Sequence, residues 1–376
     1  RSLNFIASNV ERMTRNTRHF EIPAETGRTE VDREVIARTL IGLMNNANVG
    51  GIVLLAVKSG AGSAYKNMCA ERFEEEARKT GKPFRIVYLT NVGGSYNMLG
   101  ETLRLTREVL LEVSDFRREN CPLSALTLGV KCGTSDATSG IAGNPCVGAA
   151  FDQLIRAGGT AFFSETTEII GAEDLVAKRA VNESVAKKIL SAAKHWEDKA
   201  KATGEDIRKI NPIPANIAAG ISSLEEKSLG AIAKSGTSPI QDVLKYAEMP
   251  KGSGLYFVDS WMSSLSLPLC LTACGATIML YQMGGGKIAQ HPMMPSINPT
   301  VVSPFLYLTG NAIAYSRAPD NFDFDASPIM TEGASIPEMG TKLLEHLSAI
   351  ASGTMTKMET LNYAEQLELY MEGPVL

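Results

Sequence analysis

Histidine, long apolar runs and basic charge are all in short supply in this chain of 376 residues. The only histidines are His19, His195, His291 and His346, and no pair has the HExxH spacing of a helical metal site. A transition-metal hydrolase built on a water-activating ligand cluster is therefore disfavoured. No apolar stretch approaches 18 residues, so no membrane-spanning helix is expected. The formal net charge of −4 argues against a nucleic-acid backbone as partner, which would select a basic face. It is compatible with a small anionic substrate, for which one local cluster of cations suffices. The six cysteines show no CxxC spacing and are too sparse for a disulfide framework, so the reducing cytoplasm is the expected compartment. Neither a P-loop nor a GxGxxG fingerprint occurs, Gly60-Ala61-Gly62-Ser63 being the nearest imitation, and no nucleotide cofactor is expected. Arg1-Ser2-Leu3 lacks both an initiating methionine and signal-peptide character, and a preceding segment is expected.

What is present alternates. Helical spacing of apolar residues over 31–44, a strand over 50–57, a charged amphipathic helix over 66–79, a strand over 84–89 and a helix over 101–113 predict helices covering a parallel sheet. The polar stretch 114–122 is the expected boundary between an N-terminal α/β subdomain, 1–120, and a larger C-terminal α/β domain, 121–376. In the second part, strands are predicted at 126–130, 159–163, 254–258 and 275–281. Helices are predicted over about 173–201, 265–272 and 339–350. The Pro/Gly-rich stretch 284–304 reads as a functional loop, and the alternating tail around Glu365, Leu367 and Leu369 as a final strand. The expected fold class is α/β, with parallel or mostly parallel sheets flanked by helices in two packed subdomains.

Ligands of open α/β sheets sit at the carboxyl ends of strands. The strand ending at Val130 runs into Lys131-Cys132-Gly133-Thr134-Ser135-Asp136-Ala137-Thr138-Ser139-Gly140, which offers a cation, a thiol, several hydroxyls and a carboxylate. A helix cap explains Asp136 or Ser139, but leaves Lys131 and Cys132 unexplained. The next strand runs into Ser164-Glu165-Thr166-Thr167-Glu168. A carboxylate there serves as a general base or a cation ligand, although helix-start charge also accounts for it. His291, after Gly284-Gly285-Gly286-Lys287, sits where a loop could close over a site. Asp323 and Asp325 alternate as on a strand and are a further possible source of oxygen ligands.

KCGTSDATSGIAGNPCVG (131–148), AGGTAFFSETTEIIGAE (157–173), NFDFDASPIMTEG (321–333) and ASGTMTKMETLNYAE (351–365) together resemble the altronate and galactarate dehydratase family. The run INPIPANIAAGISSLEEKSLGAIAKSGTSPI (210–240) is similar to a related branch, the large subunit of (2R)-sulfolactate sulfo-lyase. The resemblance implies a metal-dependent lyase that removes the C2 proton of a small anionic 2-hydroxy acid and expels the C3 substituent. Sulfite from sulfolactate is the first reading, and water from a sugar acid such as altronate or galactarate is the alternative. A non-catalytic substrate-binding subunit is a second alternative. The resemblance further implies a divalent cation, iron(II) first with Mn2+ or Mg2+ as alternatives, a small partner subunit, and homo-oligomerisation of the large subunit. Two departures stand out. The family's cysteine-bearing N-terminal loops are replaced by Glu25-Thr26-Gly27-Arg28 and Ala56-Val57-Lys58-Ser59-Gly60, and Thr134 stands where a second glycine is commoner. The expected catalytic group is Lys131, Cys132, Ser135, Asp136 and Glu165. Thr134, Thr138, Ser139, Asn144, Arg28 and Lys58 are expected to bind substrate, and Glu165, Cys132 and His291 to hold the metal.

Overall fold

The structure, a computed structural model, describes residues 2–20, 28–57, 66–285, 298–300, 302–361 and 368–373. The chain divides into two compact units. One comprises Arg1–Asn120 with Ala273–Gly275 and Gln366–Leu376, and the other Cys121–Thr272 with Ala276–Glu365.

In the first unit, β1 (Ile52–Ala56) and β2 (Phe84–Tyr88) pair in parallel, Ile52 opposite Phe84. A parallel pair needs a crossover, and the helix Ala70–Lys79 supplies it. Phe73 and Ala77, four apart on that helix, are buried, while its acidic residues and Lys79 lie outside. The helices Ser2–Met13 and Ser95–Ser114 contribute Ile6, Val10 and Met98 to a small core with Val87 of β2. The helix Glu30–Asn45 begins where the side chain of Thr29 accepts the Asp32 N–H at 3.2 Å.

The second unit is built on one sheet, parallel throughout, in the order β5-β6-β4-β3-β7-β8-β9. Its strands are β3 (Thr127–Gly133), β4 (Thr160–Phe163), β5 (Ile240–Leu244), β6 (Gly254–Val258), β7 (Ile278–Met283), β8 (Phe305–Thr309) and β9 (Phe324–Asp325). Every residue of β4, β6, β7 and β8 is buried, as expected of parallel strands covered on both faces. On one face Leu128, Val130, Leu280 and Leu308 pack against Val147 and Phe151 of the helix Asn144–Arg156 and Leu343 and Leu347 of the helix Ile336–Ala351. The strand order reverses at β3, whose neighbours are β4 on one side and β7 on the other. Such a reversal opens a crevice at the carboxyl ends of the strands.

The α/β class, the parallel sheets and the two-domain organisation match the sequence expectation. The predicted helix over 173–201 is two helices, Glu173–Ala177 and Glu183–Ala202. The break has a local cause: Arg179 O and Val181 N bond to Ile240 at the edge of β5, and Asn182 caps the new helix by accepting the Val185 N–H. Most of the stretch 284–304 lies outside the described residues, as do Glu365 and Leu367. Residues 368–370 carry no strand.

Candidate active site

Two adjacent strand ends meet at one carboxylate. Glu165 follows β4 and Ser164, and its neighbours are pinned to the end of β6: Ser164 Oγ donates to Val258 O at 2.6 Å and Thr166 N to Ser260 O at 2.8 Å. Glu165 itself has a left-handed backbone, φ 73°, a conformation that costs a non-glycine residue ~1 kcal/mol or more and persists only where surroundings impose it. Its side chain is 1% exposed and turns to β3. Lys131 Nζ donates to Oε1 at 3.2 Å, and Cys132 N donates to Oε2 at 3.1 Å. The Cys132 thiol lies 3.4 Å from the same oxygen. Lys131 Nζ also donates to Cys132 O at 2.6 Å and stands 4.9 Å above the centre of the Tyr281 ring.

A second lysine completes the group. Lys234, 1% exposed, donates through Nζ to Glu165 Oε2 and to Cys132 Sγ, the latter at 3.1 Å. It sits in a short turn, Ala233–Ser235, after the helix Leu224–Ile232. That turn passes so close to Gly148 that a Cβ there would lie 2.2 Å from Ala233 O. Two buttresses hold it. The carboxylate of Asp152 accepts the Thr237 and Ser238 N–H groups, each at 2.9 Å, and both hydroxyls. Arg179 donates to Ser235 Oγ at 2.8 Å and to the Ser235 and Ser238 carbonyls. Sequence reasoning did not single out Lys234. A signal was available: Lys234-Ser235-Gly236-Thr237-Ser238 repeats the Lys-x-Gly-Thr-Ser pattern of 131–135.

Burial alone would raise the pKa of Glu165, but the charges of Lys234 and Lys131, with hydrogen bonds from Lys234 and the Cys132 N–H, bring it down to about 2. Burial likewise works to lower both lysines. Tyr281, Glu165 and Cys132 outweigh it at Lys131, and Cys132 with Glu165 does so at Lys234, so both ammonium groups are held above the ordinary lysine range. The Cys132 thiol is pushed up to about 11, first by burial and then by the Glu165 charge. At neutral pH it is a neutral hydrogen-bonding group. A second buried pair lies close by: Lys227 Nζ is 3.2 Å from Glu168 Oε1 and donates to Asn211 Oδ1 at 2.6 Å. Glu168 Oε2 is buried without a hydrogen-bond partner among the described residues. Three buried lysines thus face two buried carboxylates. An excess of one positive charge in a desolvated site favours an anion.

The other expected residues form a separate network. Asp136 accepts from Thr138 Oγ1 at 2.7 Å, Ser139 N at 3.0 Å, Asn311 Nδ2 at 2.9 Å and Gly285 N at 2.6 Å. Ser139 Oγ exchanges hydrogen bonds of 3.2 Å with Asp136. None of these bonds reaches the Lys131–Glu165 group. Ser135 contributes its carbonyl, which accepts from Asn216 Nδ2 at 3.0 Å. Thr134 takes φ 47° and donates to Gly284 O at 3.2 Å, so its position demands the backbone that a glycine adopts most easily. Asn144 donates to Gly230 O at 2.8 Å and leaves Oδ1 buried without a partner among the described residues. Arg28 belongs to the first unit, where its carbonyl accepts from Arg33. Lys58 and His291 lie outside the described residues. Asp323 and Asp325 are engaged by the backbone: Asp323 accepts from Tyr307 N and Lys357 N, and Asp325 from Ser327 N.

As arranged, Cys132 and Glu165 do not fit a resident divalent cation. Their facing atoms are already bridged by the Lys234 ammonium, and the described residues hold no cluster of three His, Cys, Asp or Glu side chains suited to a metal.

Comparison with known proteins shows the family of the chain. Residues 123–374 match the family model described as D-galactarate/altronate dehydratase, C-terminal. Residues 4–114 match that of the D-galactarate dehydratase/altronate hydrolase second domain. The chain is 31% identical to the (2R)-sulfolactate sulfo-lyase subunit beta of Chromohalobacter salexigens over 92% of its own length and 85% of the relative's. It is 34% identical to the galactarate dehydratase (L-threo-forming) of Escherichia coli, over 75% of this chain and 52% of that protein. With the altronate dehydratase of Bacillus subtilis the identity is 30%, over 92% and 65%. The chain therefore spans most of the sulfo-lyase subunit but only about half to two thirds of these dehydratases. With one family model covering most of the second unit and another most of the first, the chain belongs to the D-galactarate/altronate dehydratase family.

Proposed function

We propose that this chain catalyses β-elimination on a small 2-hydroxy carboxylic acid, with water as the leaving group, as the names of its dehydratase relatives indicate. The observation that carries the reading is the buried excess of positive charge around Glu165 at the strand ends. A substrate carboxylate supplies the missing negative charge and pairs with Lys131 and Lys234. As the C2 proton leaves, charge develops on that carboxylate as an enediolate, and fixed ammonium groups in a dry site stabilise it more than water would. The unpartnered oxygen of Glu168 takes the proton. The C3–O bond then breaks with its electron pair leaving on oxygen, which takes a proton from a lysine ammonium to depart as water. The enol left behind ketonises to a 2-oxo acid. Glu165 holds the two lysines in place and keeps them charged.

A second reading, sulfite as leaving group from sulfolactate, is favoured by one observation: the sulfo-lyase subunit is matched over 85% of its length. Because that relative is named as a subunit, the assay includes a small partner subunit. The purified chain, with and without that partner, is incubated anaerobically with galactarate, altronate and (2R)-sulfolactate while 2-oxo acid and sulfite are measured. Formation of 2-oxo acid from a sugar acid supports dehydration, and faster release of sulfite from sulfolactate supports the second reading. Absence of product from every acid contradicts both.

A further inference from the structure

Gln282 lies at the carboxyl end of β7, in register with Cys132 on β3, so the two side chains project from the same face of the sheet at neighbouring strand ends. It is 0% exposed, and neither its Nε2 nor its Oε1 has a hydrogen-bond partner among the described residues. Folded proteins satisfy nearly all buried polar atoms, and an orphaned group persists where something else completes it. The amide is also accommodated deliberately. A Cβ on Gly143 would fall 2.4 Å from Gln282 Nε2, so a larger residue there would displace the amide from this position. Gly143 closes a π-helical turn, Ser139–Gly143, an element frequent at functional sites. The next residue, Asn144, is 1% exposed and leaves a further acceptor unpartnered. The mechanism above uses neither amide.

We propose that Gln282, seconded by Asn144 Oδ1, is a specificity-determining residue that reads hydroxyl groups of the substrate beyond C2. The inference rests on the lyase reading. A primary amide presents a donor and an acceptor side by side. A carboxylate or sulfonate only accepts, and would leave Oε1 orphaned. Two hydroxyls on adjacent carbons satisfy both atoms, and Asn144 Oδ1 accepts from a hydroxyl as well. The partner this geometry fits is therefore a polyhydroxylated acid rather than one with a single hydroxyl.

The test uses Gln282→Met and Gln282→Leu, apolar replacements of similar size, in the full chain. Removing an unsatisfied buried amide relieves a penalty, so both variants are expected to melt at a higher temperature than wild type in the absence of substrate. Their kcat/KM for galactarate or altronate is expected to fall by about 30-fold or more, carried mainly in KM, and by no more than about threefold for sulfolactate, because a site built to bond hydroxyls loses most against substrates that present them. Lower melting temperatures in both variants would show that the amide was already satisfied and overturn the inference. So would equal losses on all three acids, or no loss on any. A wild-type protein inactive on every acid sinks the lyase reading and the inference with it, whereas an active wild type with unaffected variants overturns the inference alone.

Discussion

Two loops of this molecule carry the same five-residue pattern and deliver a lysine to the same carboxylate, yet they are built differently. Lys131-Cys132-Gly133-Thr134-Ser135 leaves a strand, and its lysine is fixed by the sheet, opposite Tyr281. Lys234-Ser235-Gly236-Thr237-Ser238 leaves a helix, and its lysine is fixed from outside by Asp152 and Arg179. In the first loop Cys132 meets Glu165 and Lys234. In the second, Ser235 occupies the corresponding place, and its hydroxyl donates to Ile232 O and accepts from Arg179. The comparison teaches that the strand loop is anchored by its ladder, whereas the helix loop depends on a buried carboxylate that is no part of the charge cluster.

The largest effect is expected where the loops meet. Glu165→Gln leaves two buried lysines without their counter-charge, which should cost ~3–5 kcal/mol of stability, as breaking a buried pair does. Elimination should fall by about a thousandfold or more, the order of losing a fixed electrostatic element. Denaturant unfolding and 2-oxo acid assays check both. The same variant sharpens the pH dependence. Glu165 has a folded pKa of about 2, below the ordinary glutamate value of about 4.3. Its contribution is therefore fully present above that ordinary value and is lost as pH falls towards 2. Wild type should lose stability over that window more steeply than the variant.

Next come the lysines. Lys234→Met and Lys131→Met should each cost ~2–4 kcal/mol of transition-state stabilisation, visible in kcat/KM. The double variant should lose less than the sum, because both act through one carboxylate. Asp152→Asn separates the two loops. Its carboxylate accepts four groups of the helix loop, and although burial works to raise its pKa, the Ser238 and Thr237 hydrogen bonds hold it low. Weakening them should cost ~1–3 kcal/mol of stability and reduce activity by displacing Lys234 alone. Joined to Lys234→Met, it should add little further loss of kcat/KM. The smallest effect is expected at Cys132→Ser. The thiol is neutral below about pH 11 and donates a hydrogen bond, and a hydroxyl keeps that role, so kcat/KM should stay within about tenfold. Alkylation by iodoacetamide at pH 7 should be slow for the same reason.

Much of this was legible from residue order. Short apolar runs located β1 to β4, β6 and β7, most clearly β4, β6 and β7, whose residues are buried throughout. β5, Ile240–Leu244, escaped because the edge strand IQDVL interrupts its apolar residues with Gln241 and Asp242. β8 escaped because the Pro/Gly-rich stretch before it dominated the reading. Lys131 and Cys132, in the last rungs of β3's ladder, and Glu165, just past β4, were found because polar residues at the ends of buried strands lack a packing explanation. Asp136 was singled out on the same ground, and its bonds run instead to Thr138, Ser139, Gly285 and Asn311. Lys234 was missed because it lies at a helix end with no strand before it. Only the fold, by packing Gly148 against Ala233, carries its ammonium to Glu165.

The most direct measurement of the central claim is kcat/KM of Lys234→Met against wild type on the acid that wild type eliminates fastest, with the folded state of both verified by near-UV circular dichroism. If the buried lysines clamp the substrate anion, the variant falls by about 30-fold or more while remaining folded. A folded variant with wild-type kcat/KM would contradict the account.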